Sequence, residues 1–312
     1  MRLVMLGTGP FAVPTLEALA ASPHEVVLVI ARPPRGHDAQ ASPLQRAGES
    51  LDIETGTPES VNLPESQARL AALAADLLVV CDYGEILHPA TLATARLGGI
   101  NLHGSLLPKY RGAAPVQWAI LRGETETGNT VIQMTPGLDA WPCLAQERTP
   151  IDPDEDAATL EARLANLGAR LVLQVVDELA AGTSKPVEQS SGDASKAPRL
   201  TKEHGAIDWS RSAIEIKNLV RAVQPWPRAY TIWHRSEGPP VRLSIDRVQL
   251  ATAGELASAS GEVLDASNRL LLSTGDGVME ILELQPAGKR AMSAAEFLRG
   301  TRVSVGDRFG PA

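Results

Sequence analysis

The residues best suited to chemistry stand together in Asn101-Leu-His103-Gly-Ser105-Leu-Leu-Pro108. Asn101 and His103 are two positions apart, so in an extended segment both side chains leave one face and can converge on one ligand atom. An amide donor beside an imidazole suits a carbonyl oxygen that becomes an oxyanion, because both groups can donate hydrogen bonds where negative charge develops. Read singly, a capping Asn and a satisfied core His are equally ordinary. Their pairing ahead of a Gly, Ser and Pro loop favours the chemical reading. Further on, Asp139 closes a Gly137-Leu138-Asp139 turn. It offers a carboxylate that can orient the imidazole or accept a proton from an attacking amine through water, provided its strand neighbours the first.

Such residues need a sheet edge to hold them. The first half alternates β-branched apolar runs with amphipathic segments, the pattern of a parallel sheet with crossover helices. Strands are expected at 2–6, 26–31, 77–81, 99–102 and 129–134, and helices at 11–21, 65–74 and 115–122. Leu160, Leu164, Leu167, Leu171, Val175 and Leu179 recur every three or four positions and predict a helix over 156–181. The 101–108 segment therefore follows a buried strand, at the edge where open α/β sheets bind ligands. Residues 184–200 are polar and read as a linker. Beyond them come a helix at 212–223 and short strands near 230–234, 241–250, 259–266, 269–274 and 278–284, which suggest a small barrel or sandwich.

Gly7-Thr8-Gly9-Pro10-Phe11-Ala12 follows an apolar strand and opens a helix, which matches the dinucleotide-binding pattern in its proper context. The second strand, however, ends in Ala31-Arg32-Pro33-Pro34, without an acid for a ribose hydroxyl. Three readings stay open on these residues: an NADP enzyme using Arg32, an NAD enzyme lacking its main polar contact, and a purely structural turn.

Composition narrows the class. With 312 residues, 44% hydrophobic and 21% charged, the chain can bury the cores of two domains, and disordered or fibrous readings fall away. No apolar run is long enough for a signal peptide or a membrane span, so a cytoplasmic protein without membrane contact is expected. Cys81 and Cys143 are isolated from one another and from other ligand types, so neither a disulfide framework nor a metal site is expected. The net charge of −8 argues against general nucleic-acid binding. It is unevenly spread, though: residues 196–247 hold 10 basic and 5 acidic side chains. Such a stretch is either a solvated surface or a footprint for a phosphate backbone.

These motifs together resemble the methionyl-tRNA formyltransferase family, within the wider group that uses 10-formyltetrahydrofolate. The resemblance is carried by Gly7–Pro14, Asp82-Tyr-Gly-Glu-Ile-Leu87, 101–117 and Gly137-Leu-Asp139. Leu200-Thr-Lys-Glu, Ile207-Asp-Trp-Ser210, Gln224-Pro-Trp-Pro227, Leu284-Gln-Pro and Phe297-Leu-Arg-Gly300 extend it into the second half. The Asn-x-His and Asp set is shared across the wider group; the second-half motifs narrow it to the tRNA enzymes. An alternative within the group is a formyltransferase for another amine, such as an amino-sugar nucleotide.

The resemblance implies an α/β fold, a Rossmann-like mostly parallel sheet with a small OB-like C-terminal β-barrel. It implies a catalytic domain over 1–186, a linker over 187–204 and a tRNA-binding barrel over 205–312. Asn101, His103 and Asp139 would be catalytic. Tyr83, Gly84, Ile86, Ser105, Leu106, Leu107 and Pro108 would line the site of 10-formyltetrahydrofolate, with no nicotinamide and no metal. Arg32, Arg35, Lys202, Arg221 and Arg228 would meet initiator methionyl-tRNA, and the enzyme would act as a monomer in translation initiation. Three places depart from the family pattern: Ala140-Trp141-Pro142 after the Gly-Leu-Asp turn, a shortened loop over 32–40, and the acid at Asp82.

Overall fold

Near-continuous apolar runs make strands that must be covered on both faces. The computed structural model describes residues 1–34, 40–134, 142–189, 192–236, 238–252 and 258–311. In its first half lie β1 (Arg2–Gly7), β2 (Glu25–Ile30), β3 (Thr55–Gly56), β4 (Leu77–Cys81), β5 (Gly99–His103), β6 (Arg111–Gly112), β7 (Glu126–Met134) and β8 (Cys143–Pro150). Seven of these form one sheet in the order β3-β2-β1-β4-β5-β7-β8. The first five members pair in parallel, whereas β7 runs antiparallel to both β5 and β8. From β1 the chain builds outward to β3, then returns to add β4 on the other side, and that reversal opens a crevice at the carboxyl ends of β1 and β4.

The helices are α1 (Val13–Ala20), α2 (Pro43–Ser50), α3 (Pro64–Ala72), α4 (Pro89–Leu92), α5 (Pro115–Leu121) and α6 (Ala157–Ala181). Proline opens α2, α3 and α4, where its missing N–H would have had no helical partner. The leucine ladder of α6 is buried at Leu160, Leu164 and Leu171. Gly168 lets this helix lie against β5, since a Cβ there would stand 2.6 Å from Leu102 Cδ2.

The expected strands and helices of this half are present, and β8 is an addition. Its burial alternates along an edge, so it shows no apolar run for a sequence pattern to find. Residues 187–204, expected as a linker, are tied down in their first part. Val187 exchanges main-chain hydrogen bonds with Cys143, and β9 (Lys196–Ala197) pairs in parallel with β6.

The second half contains α7 (Ala213–Ala222), β10 (Ala229–His234), β11 (Val241–Ala251), β12 (Val263–Asp265), β13 (Leu270–Ser273), β14 (Val278–Pro286), β15 (Met292–Ser293), α8 (Ala294–Gly300) and β16 (Arg308–Gly310). Its sheet runs β12-β13-β14-β11-β10-β16, with β15 on β14. Val263 N donates to Asp307 O and Phe309 N to Gly261 O, joining the two ends into a nearly closed antiparallel barrel. Trp233 fills it, stacked on Phe309 at 6.3 Å and edge-on to Phe297 at 5.8 Å.

The chain groups into two units, Met1–Val116 with Glu126–Pro150 and Thr159–Pro198, and Gln117–Thr125 with Ile151–Ala158 and Arg199–Ala312. A division at 186 and 204 follows chain order, whereas the second unit also recruits two earlier segments by specific contacts. Trp118 packs edge-on against His204 at 5.6 Å, Lys217 pairs with Asp154, and Arg221 donates to the Asp152 and Glu155 carbonyls.

Candidate active site

β5 carries Asn101 and His103 on one face, and the register sets their neighbours: Val80 and Ile132 flank Asn101, while Thr130 flanks His103. Leu78, Val80, Ile132 and Met134 belong to an apolar cluster that also takes in Tyr83, Leu87 and Leu107. Asn101 is thus a polar group set among hydrophobic neighbours. It is half-buried, and its side-chain amide has no hydrogen-bond partner among the described residues. An amide in such surroundings normally finds a partner within the protein, so this one is poised to serve a ligand.

His103 is buried, and its Nε2 lies 2.9 Å from the Tyr110 carbonyl. A carbonyl only accepts, so Nε2 carries the proton. This bond orients the ring within the site. The following loop is held by its own polar groups. Thr130 Oγ1 donates to the Ser105 carbonyl at 2.6 Å and accepts from Leu107 N at 3.1 Å. Gln146 Nε2 reaches both Leu107 O and Thr130 Oγ1. The Leu107–Pro108 peptide is cis.

These contacts refine the expected folate wall. Ser105 is fully buried with its hydroxyl given to Lys109 O, and Leu107 sits in the apolar cluster, so both shape the loop from behind. Leu106 and Pro108 are partly exposed. In the loop after β4, Gly84 and Ile86 are open to solvent, Ile86 at 60%. Tyr83 is turned inward, and burial followed by the nearby Glu85 carboxylate pushes its hydroxyl up to about 12. Tyr83 therefore offers a ligand its main chain rather than its ring.

One polar knot fixes that loop, and sequence reasoning missed it. Glu85 receives hydrogen bonds from Arg32 Nη1, Ser60 Oγ and Asn62 Nδ2. Asn62 also donates to Ile86 O at 2.9 Å and accepts from His88 N at 2.8 Å. The donors are spread over separate crossover segments, which leaves no local spacing to read.

The glycine loop is explained by packing. A Cβ on Gly7 would meet Cys81 O and Ala12 Cβ, and one on Gly9 would run into the Asp82 carboxylate.

The expected RNA contacts divide. Arg32 is paired with Glu85, and Arg228 is held by Asp246 and Gln285. Arg221 is spent on the Asn218 side chain and the carbonyls of 152 and 155. These three guanidinium groups thus have partners within the protein. Lys202 is exposed on a short 3-10 turn. Arg35, Asp139 and Trp141 lie outside the described residues. β7 neighbours β5, and the antiparallel register puts Thr130 beside His103 and Met134 beside Gly99. Among the described residues, no group of three or more His, Cys, Asp or Glu side chains could hold a metal ion, and no helix is long and apolar enough to cross a membrane.

Comparison with known proteins gives this arrangement a family. Residues 1–176 match the formyl transferase domain and residues 199–302 the formyl transferase C-terminal domain. The methionyl-tRNA formyltransferase of Rhodopirellula baltica is 44% identical, covering 99% of this chain and 96% of its own. That of Solibacter usitatus is 43% identical over 99% of each. In fold, the chain resembles the sugar 3N-formyltransferase WlaRD, with a TM-score of 0.66 at 20% identity over 93% of this chain and 99% of that one. Sheet, barrel, Asn-x-His strand end and full-length similarity agree: the chain belongs to the methionyl-tRNA formyltransferase family.

Proposed function

We propose that this enzyme transfers the formyl group of 10-formyltetrahydrofolate to the α-amine of initiator methionyl-tRNA, in the cytoplasm, as a monomer and without nicotinamide or metal. The observation that carries the reading is the unpartnered Asn101 amide beside the anchored His103 at the end of β5. Relatives bearing that activity along the whole chain support the choice of acceptor. The open Gly84 and Ile86 and the half-open Leu106 and Pro108 would receive the folate.

In this reading Asn101 and His103 stabilise the formyl oxygen as the neutral amine attacks the formyl carbon and the C=O bond opens to an oxyanion. Asp139 accepts the proton that the amine loses, through water. Collapse re-forms the C=O bond and breaks the bond to folate N10, which leaves with the proton that Asp139 returns through the same water. The methionyl α-amine has an ordinary pKa of about 7.7–8.0, so an appreciable fraction is neutral and able to attack near pH 7.5.

The test is formyl transfer from 10-formyltetrahydrofolate to methionyl initiator tRNA, methionyl elongator tRNA and free methionine, side by side. Transfer to the initiator alone is expected, weakening as salt rises. Transfer to an amino-sugar nucleotide in place of any tRNA would overturn the acceptor while keeping the reaction.

A further inference from the structure

His103 is oriented by a main-chain carbonyl, and that carbonyl belongs to a residue in an unusual conformation. Tyr110 has φ of 63°, in the left-handed region that non-glycine residues seldom enter, and its side chain is 7% exposed. Such a conformation persists only where neighbours over-determine it. Those neighbours come from the far end of the first unit. Ser195 Oγ accepts from Tyr110 N at 2.9 Å, and Ser195 O accepts from Arg111 N at 2.8 Å. The next residues continue the contact, with Lys196 and Ala197 paired to Arg111 and Gly112 and with Ala114 N donating to Ala197 O. Gly112, at φ of 128°, allows the close approach, since a Cβ there would stand 2.5 Å from Ala197 O.

Resting on the reading of His103 as a reacting group, we propose that Ser195 is a positioning residue for it. The Ser195 hydroxyl holds the Tyr110 N–H and the Ser195 carbonyl holds the Arg111 N–H, so the peptides on both sides of Tyr110 are fixed; the Tyr110 carbonyl between them then fixes Nε2 and keeps the imidazole in one orientation. The strap at 195–197 is thereby part of the active-site architecture.

The experiment compares Ser195→Ala, which removes the acceptor of the Tyr110 N–H and leaves the main-chain bonds of the strap, with Ser195→Thr, which keeps a hydroxyl. In the full chain, Ser195→Ala should lower kcat by about 10-fold with KM for folate and tRNA unchanged, short of the roughly 100-fold that a misplacement of about 1 Å can cost. It should also move the nitrogen-15 resonance of His103 Nε2. Ser195→Thr should restore both. Unchanged kcat and resonance would overturn the proposal, as would a higher KM for tRNA at unchanged kcat, which would make the strap an RNA contact instead. Should Ser195→Ala melt early, Ser195→Cys keeps the volume with a weak acceptor and is read in the same way. A wild-type protein that formylates none of the acceptors would defeat the proposed function, while the Nε2 resonance would still decide whether Ser195 holds His103.

Discussion

A polar side chain without a partner is costly on an apolar surface, and Asn101 is such a side chain among Val80, Ile132 and the cluster behind them. Fold stability therefore gives no reason for an amide there, whereas a developing oxyanion does. Asn101→Ala should lower kcat by roughly 100- to 1000-fold, the usual cost of one oxyanion donor, while thermal melting stays at or above that of the wild type. A melting temperature that fell with activity would show the amide to be structural. At this scale the sequence was informative: spacing alone placed Asn101 and His103 on one face of a strand, because alternation is a property of any strand. What it withheld was the tautomer. The partner of Nε2 is a carbonyl seven residues on, in a left-handed turn that no side-chain pattern announces.

Elements place these residues through contacts that skip along the chain. Glu85 anchors the loop after β4 by gathering donors from the exit of β2 and the approach to α3. Both partners of the Arg32–Glu85 pair are mostly buried. Removing one leaves the other unpaired, which costs more than the pair itself contributes. Glu85→Ala should thus destabilise the first unit by about 1–3 kcal/mol. It should also raise KM for 10-formyltetrahydrofolate, because Gly84 and Ile86 lose their fixed position. Urea titration and initial-rate kinetics on one preparation measure both. An unchanged KM would show that the knot serves folding alone. The strands of the central sheet were legible because each is a buried apolar run. β8, β9 and the knot were not, because an edge strand, a two-residue pairing and a convergence of distant polar groups leave no periodicity behind.

Over the whole molecule, both units rest on leucine-, isoleucine- and valine-rich strands, and the barrel of the second adds clustered aromatic residues and a buried carboxylate at its closure. Asp307 is 5% exposed and accepts hydrogen bonds from Trp233 Nε1, Ser236 N and Ser304 N at 3.0–3.1 Å. Burial alone would push its carboxyl up, but the bonds from Ser304, Ser236 and Trp233 outweigh burial and hold it below the ordinary value. Its main chain meanwhile accepts from Val263 in the closing contact. A folded-state pKa below the unfolded one stabilises the protein above the ordinary aspartate range, near about 3.9. That contribution is lost as pH falls through this range toward the folded value. The barrel should accordingly hold its stability down to the ordinary aspartate range and weaken as pH falls below about 4, seen as early exposure of Trp233 fluorescence. Asp307→Asn should lower stability at neutral pH, since an amide NH₂ then faces one of the three donors, and should flatten the acid dependence. An acid transition of unchanged slope in Asp307→Asn would assign the sensitivity to other carboxylates. Asp307 joins Trp233 in the core to the strand ends that close the sheet, so its protonation loosens the closure and the core together.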